Sequence, residues 1–419
     1  MSEKETNKDF SYFYSLELQG INCFKDKQKL DLSNGDGNYS PWTIILGDNG
    51  TGKTTLLRVL DRMQPRSEEF GDVIHTWPVY SDYVGYIDHY VFVKFLIISK
   101  SLEMQKIEIE SYDSTVNTSS PPYDYYLLSY GASRRMSKSS NISKKKENTT
   151  TLFNDSIELI NAEEWFLQKD MIALKAEESS KAKFQNQFDL VKSILVDILP
   201  DVEEIRVKPI NESNSKLLLE VKTPYGWINL RDLSHGYQTT TALIVDIAAK
   251  MIDQYPDSEN PLAEPVIILI DEIDLHLHPK WQRTVLDKLS HHFPKAQFIA
   301  TSHSPLIVQA AQDKGANIVV CRKDGDRVII DNDPDEVKGW RIDQILVSDL
   351  FEVGGDRSEK FQKFINEKNE ILSKMELSDD DRQRLDFINL KVNDIPQASN
   401  KKDIEAQEII RRAAELLKK

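Results

Sequence analysis

The chain has 419 residues, a formal net charge of −15, 40% hydrophobic and 29% charged residues, the balance of a soluble globular protein with room for one large or two ordinary domains. The acidic surplus argues against whole-surface attraction to nucleic acid, and no apolar stretch approaches the roughly eighteen residues that a spanning helix needs. The polar opening MSEKETNKDF has no signal-like apolar segment, and Cys23 and Cys321 sit in unrelated contexts, so export, a disulfide framework and a zinc site are not expected and a reducing cytoplasm is.

In chain order, FYSLELQGINCF alternates like a strand, Asn34 to Asn38 form a turn cluster, and PWTIILG is a short apolar run ending in glycine. The stretch TTLLRVLDRM reads as a helix, giving strand, glycine loop, helix. Residues 61 to 229 mix strand-like segments (YVFVKFLIIS, QKIEIESY, DYYLLSYG) with a helical stretch from about Ala162 to Leu199, whose apolar residues cluster early and late and so predict two packed helices. Between them lies SRRMSKSSNISKKK, with Arg134, Arg135, Lys138, Lys144, Lys145 and Lys146. In its Ser/Asn-rich setting this run is either a solvated loop or a phosphate-binding patch for nucleic acid.

Further on, EIRVKPINESNSKLLLEVKTPYGWINL predicts strands joined by polar turns, and LSHGYQTTTALIVDIAAKM a helix. Then PVIILIDE reads as a buried strand, PKWQRTVLDKLSHHF as a helix opened by Pro279, and AQFIATSHSP as a strand ending in a loop. Strands alternating with helices imply an α/β core. The tail from about Asp333 is charged and helical in pattern. The expected organisation is a core split between 1–60 and 230–332, an insertion at 61–229, and a mostly helical region at 333–419.

Three elements carry chemistry. GDNGTGKTT fits G-x-x-x-x-G-K-[ST] between a strand and a helix. Gly47, Asn49, Gly50 and Gly52 let backbone N–H groups curl around phosphates, Lys53 reaches the β/γ-phosphates, and Thr54, followed by Thr55, offers a hydroxyl to Mg²⁺. The strand PVIILI delivers Asp271 to its C-terminal edge, where an acid can hold the Mg²⁺ water shell; Glu272 follows, placed to deprotonate an attacking water. In ATSHSP, the His303 imidazole can hydrogen-bond the γ-phosphate. His276 and His278 could suggest a metal pair, but no third ligand is evident. Ser234 and Gly236 precede a helix whose apolar face includes Leu243, Ile247 and Met251, and a helix N-terminus is a ready-made anion site.

The order phosphate loop, Ser-x-Gly before a helix, Asp-Glu, histidine loop resembles the ATP-binding cassette ATPases. LSHGYQ looks like their signature motif, with Leu233, Ser234 and Gly236 matching and His235 replacing the usual first glycine. EIDLHLHP is similar to the RecF, SMC and OLD-like branch, and Asp274 matches the acid that crosses the dimer interface there. INCF, LLSYGASR, NAEEWF, LSHGYQ, DEIDLHLHP and GWRIDQIL resemble the ATPases of anti-phage defence cassettes, those of Septu systems and their retron-associated relatives. The glutamine that such families carry between phosphate loop and signature has no evident counterpart, and Arg134 is either a phosphate or interface contact or a surface arginine.

The resemblance implies a P-loop head of α/β class, a mixed sheet flanked by helices, using ATP and Mg²⁺. It implies a homodimer or higher homo-oligomer formed through an ATP sandwich, each phosphate loop facing the mate's Ser234 and Gly236. It further implies a partner nuclease of HNH type, and no membrane. The alternatives are an OLD-like nuclease, for which the acids of KDGDRVIIDNDPDE stand in a hairpin-like polar context without a strand-borne glutamate before them, and a repair ATPase of SMC or RecF type, for which no long heptad run is present.

Overall fold

The structure, a computed structural model, describes residues 10–62, 87–99, 104–112, 115–118, 125–137, 151–208 and 218–334, together with residues 367, 371, 384, 385 and 388. The chain divides into two compact units, residues 1–351 and 352–419. In the second unit the described residues are all helical, and Arg384 forms a two-pronged pair with Glu367 at 2.7 and 2.9 Å. GWRIDQIL and most of the charged tail lie outside the described residues.

The first unit opens with β1 (Ser11–Ile21), β2 (Gln28–Asp31) and β3 (Trp42–Gly47), and the phosphate-loop sequence then leads into α1 (Lys53–Arg62). Next come β4 (Ile87–Ser99), β5 (Met104–Tyr112), β6 (Thr115–Thr118) and β7 (Leu127–Tyr130). The expected helical pair follows as α2 (Ala162–Lys175) and α3 (Glu178–Ile198), then β8 (Glu204–Val207), β9 (Leu219–Thr223) and β10 (Gly226–Asn229). The second half of the unit is α4 (His235–Gln254), β11 (Val266–Ile270), α5 (Pro279–Gln282), α6 (Val285–His292), β12 (Ala296–Thr301), α7 (Pro305–Lys314) and the hairpin β13 (Asn317–Asp324) and β14 (Arg327–Asp331).

Six strands form the central sheet in the order β14-β13-β3-β12-β11-β7, parallel throughout except for the antiparallel pair β13–β14. A five-stranded antiparallel sheet, β2-β1-β4-β5-β6, and a three-stranded one, β10-β9-β8, complete the unit. The continuous apolar runs follow from burial on both faces. In β11 the side chains of Val266, Ile268 and Ile270 enter one core, with α2, α3, α4, α6 and α7. Ile267 and Leu269 enter the other, with α1, β1 and β2. The residues from 61 to 229 are part of this architecture: β4 pairs along nearly the whole of β1, and β7 is the edge strand beside β11.

Gln297 locks β1 to the central sheet. It is fully buried, its Oε1 accepts from the Phe13 N–H at 2.8 Å, and its Nε2 donates to the Phe13 carbonyl at 2.7 Å. An amide side chain thus supplies the donor and acceptor that a neighbouring strand would otherwise provide. The single helix expected over PKWQRTVLDKLSHHF is broken at Arg283–Thr284, where the Thr284 hydroxyl turns back to the carbonyls of Lys280 and Trp281.

Candidate functional site

The loop after β3 adopts a conformation that its glycines alone permit. Gly47 has φ +142°, and a Cβ there would stand 2.4 Å from the Cys321 carbonyl oxygen; Gly52 has φ +78°, and a Cβ there would stand 2.5 Å from the Cys23 Sγ and 2.7 Å from the Phe24 ring. Behind this curl α1 begins, directing its free N–H groups into the loop. The Lys53 ammonium folds back to donate to the carbonyls of Gly47 and Asp48 at 2.8 and 2.7 Å. Burial pulls Lys53 below its usual range, while Cys321, Asp271 and Glu272 act in the opposite direction.

The two residues expected to hold Mg²⁺ meet directly. Thr54 Oγ1 donates to Asp271 Oδ2 at 2.8 Å, and Thr301 Oγ1 donates to Asp271 Oδ1 at 2.6 Å, so both carboxylate oxygens are oriented. Thr301 Oγ1 in turn accepts from the Glu272 N–H at 2.7 Å. Glu272 has φ +48°, a left-handed conformation that costs a non-glycine residue about 1–2 kcal/mol. Hydroxyl, carboxylate and loop amides suit a hard divalent cation bound with substrate phosphates.

His303 completes this group. Asp274 Oδ1 accepts from the Ser302 hydroxyl at 2.6 Å and from the His303 N–H at 3.2 Å, which fixes the histidine loop. Burial, then the neighbouring Lys53 charge, lowers the His303 pKa and favours the neutral imidazole at pH 7. A cleft of about 290 Å³ gathers Asn49, Gly50, Gly52, Lys53, Thr54, Thr55, Asp271, Glu272 and His303. Asp274 is bonded to the histidine loop but is not among the lining residues, and Gly47, the last residue of β3, forms the start of the loop.

Asn22 and Cys23 also line the cleft, and Asn22 Nδ2 donates to Thr55 Oγ1 at 3.2 Å. The INCF stretch carried a resemblance in sequence but no role, and its contact with Thr55 depends on how the chain after β1 meets α1. Thr301 was equally hidden inside a strand pattern.

Ser234 and Gly236 lie outside the cleft. Ser234 is exposed and its side chain makes no capping bond, although it is the N-cap of α4. Gly236 packs so closely on the LHLHP loop that a Cβ would stand 2.5 Å from the His276 carbonyl oxygen, and the His235 and His276 rings meet edge to face at 4.8 Å. His278 caps α5, accepting from the Lys280 N–H at 3.3 Å.

The basic run needs one correction. Arg134 is 3% exposed and donates to the main-chain carbonyls of Asp271 and Glu272, each at 2.7 Å, so it belongs to the interior and not to a solvent-facing patch. Arg135 is exposed, whereas Lys138, Lys144, Lys145 and Lys146 lie outside the described residues. In the β13–β14 hairpin, Asp324 pairs with Arg327 at 2.9 Å and Asp326 with Lys25 at 2.5 Å. Among the described residues no group of three potential ligands is placed to hold a metal, and no helix is long and apolar enough to cross a membrane.

The family model described as "AAA domain, putative AbiEii toxin, Type IV TA system" matches residues 43–309, and a second AAA domain model matches residues 15–61. The chain is similar to the Septu protein PtuA of Bacillus mycoides (strain KBAB4), 27% identical over 359 residues that cover 84% of this chain and 47% of that protein. It is also similar to the Retron Vc95 probable ATPase of Vibrio cholerae serotype O1 biovar El Tor, 47% identical over 92 residues that cover 22% of this chain and 18% of that protein. The chain thus spans about half or less of the length of these curated relatives. The SMC head domain from Thermotoga maritima aligns over 77% of this chain and 99% of that chain, at 12% identity and a TM-score of 0.43.

Proposed function

The chain belongs to the AAA domain family described as putative AbiEii toxin, Type IV TA system, and from that premise we propose that it is an ATPase acting as a two-headed switch. The observation that carries this reading is the hydrogen-bonded chain Thr54–Asp271–Thr301, which opens into the same cleft as Lys53, Glu272 and His303. Backbone N–H groups of the loop and the N-terminus of α1 cradle the phosphates. Lys53 exchanges its two carbonyl partners for phosphate oxygens. Thr54 and Asp271 would hold Mg²⁺, which would supply positive charge to neutralise the phosphate oxygens.

Glu272 takes the proton of the attacking water as its oxygen bonds to the γ-phosphorus and the bond to the β–γ bridging oxygen breaks. The neutral His303 imidazole hydrogen-bonds the γ-phosphate and reports its presence. Two copies close around two nucleotides, each lending Ser234 and Gly236 at the exposed start of α4 to the phosphates bound by its mate. Such a pairing is isologous and closes with two-fold symmetry. ATP favours the closed pair because its γ-phosphate contacts both sides, and hydrolysis removes that link.

Similarity to Septu and retron proteins supports a place in anti-phage defence in the cytoplasm, with control of a partner nuclease of HNH type as the output. Glu272→Gln tests the reaction: it should bind ATP, stop turnover and accumulate the closed pair, whereas normal turnover would remove Glu272 as the base. Copurification with a nuclease encoded beside this chain tests the output, and a partner of transporter type would contradict it.

A further inference from the structure

The geometry points to Arg134 as the positioning residue for the Glu272 carboxylate. This rests on the reading of Glu272 as the base. A buried guanidinium ordinarily pairs with a carboxylate, whose two oxygens match its fork. Here the fork takes two successive main-chain carbonyls, those of Asp271 and Glu272, at 2.7 Å each. Two adjacent carbonyls become available to one guanidinium at the reversal marked by φ +48° at Glu272.

The opposite side of the same turn is held as well. Thr301 Oγ1 accepts from the Glu272 N–H, and the Ile273 N–H donates to the Thr301 carbonyl at 2.9 Å. Arg134 therefore grips the carbonyls and Thr301 grips the amides of one short turn, with the Glu272 side chain as the group left to reach the cleft. The left-handed conformation at a non-glycine residue persists only where its surroundings over-determine it, and these contacts do so.

Arg134 comes from the segment after β7, the edge strand that also receives the Asp271 N–H on the Tyr130 carbonyl at 2.8 Å. Arg134 also lines a cavity of about 20 Å³ together with Thr239, Thr240 and Leu243 of α4 and Ile273 and Leu275 after the Asp-Glu pair. One side chain thus holds the turn that carries Glu272 and lines the same cavity as the helix that begins after Ser234. A lysine can bury charge at this place, but its single ammonium cannot reproduce two parallel N–H···O bonds of fixed spacing.

The test uses the full chain and compares Arg134→Lys, Arg134→Gln, Glu272→Gln and the double variant Arg134→Lys/Glu272→Gln in ATP turnover, fluorescent-nucleotide binding and thermal melting. Arg134→Lys should lower kcat by at least about tenfold while KM and nucleotide Kd stay within about threefold, the pattern of an interaction made only in the transition state. In the Glu272→Gln background the same change should alter the residual rate by less than about twofold, because Arg134 acts through the carboxylate already removed. Wild-type kcat in Arg134→Lys, an equally large further loss in the double variant, or collapse of folding in both Arg134 variants would each overturn the assignment.

Failure of the base reading alone would show differently, as turnover by Glu272→Gln at the wild-type rate. In that event amide exchange remains as a readout: Arg134→Lys should speed exchange at Glu272 and Ile273 relative to β11, and unchanged exchange there contradicts the positioning role.

Discussion

Thr54 Oγ1 donates a 2.8 Å hydrogen bond to Asp271 Oδ2 across 217 residues of sequence. The loop after β3 and the acidic end of β11 are thereby tied together, and the two groups proposed to hold a divalent cation meet directly. Thr54→Val keeps the shape of the side chain and removes the hydroxyl. We predict that the Mg²⁺ concentration for half-maximal turnover rises by about tenfold or more, while metal-free nucleotide binding changes by less than about threefold. A Mg²⁺ titration of the variant checks this, and an unchanged midpoint would remove Thr54 from the metal's surroundings.

The two inner glycines of the loop should respond unequally to alanine. Gly50 has φ +79° and open space around its Cβ position, so Gly50→Ala should cost only the left-handed backbone penalty, about 1–2 kcal/mol. Gly52→Ala adds a collision with Cys23 and Phe24, both packed against the loop, and the loop must move. Nucleotide titrations should show Gly52→Ala weaker than Gly50→Ala by about tenfold or more; equal affinities would mean that the packing of the INCF turn does not shape the site.

Gln297→Leu should destabilise the first unit. It removes both hydrogen bonds between the Gln297 amide and the Phe13 main chain, at about 0.5–1.5 kcal/mol each. Chemical denaturation should show a loss on the order of 1–3 kcal/mol, and a loss below about 0.5 kcal/mol would mean that the contact between β1 and β12 re-forms without the amide.

Acid should weaken the fold through histidine. His276, His292 and His303 are each pulled below the ordinary value, in every case first by burial. The folded chain then binds fewer protons than the unfolded one as pH falls through about 6.5, so the stability present above that value is lost on the way down. Melting temperature should decline between about pH 7 and pH 5.5, and His303→Gln should reduce the slope. A slope that is unchanged by His303→Gln would exclude that imidazole from the effect.

Much of the site was readable because the phosphate loop, the acidic strand end and the histidine loop each combine a local motif with a strand–loop or loop–helix setting. The parallel strands β3, β11 and β12 were equally readable as apolar runs, since burial on both faces erases alternation. Arg134 was not. Its neighbours in sequence are Ser133, Arg135 and a lysine-rich run, which read as a solvated loop, while its contacts come from residues 271 and 272. Gln297 and Thr301 were hidden for the same reason: a polar residue inside a strand reveals its partner only when the chain is folded. The membership of β4 and β7 in the main sheets was also illegible, because pairing at long sequence separation leaves no mark on local pattern.

We propose that the start of α4 serves the nucleotide held by a second copy. Ser234→Arg should bind ATP on its own loop with near-normal affinity yet neither pair nor hydrolyse, and Lys53→Ala should fail to bind. Turnover measured on a mixture of these two inactive variants tests the claim most directly. A composite site places one defect on each side, so each mixed pair regains one intact site and the mixture should recover activity approaching about a quarter of the wild-type rate, for random pairing. A mixture as inactive as its components would contradict the lent half-site and reduce Ser234 to the N-cap of a helix.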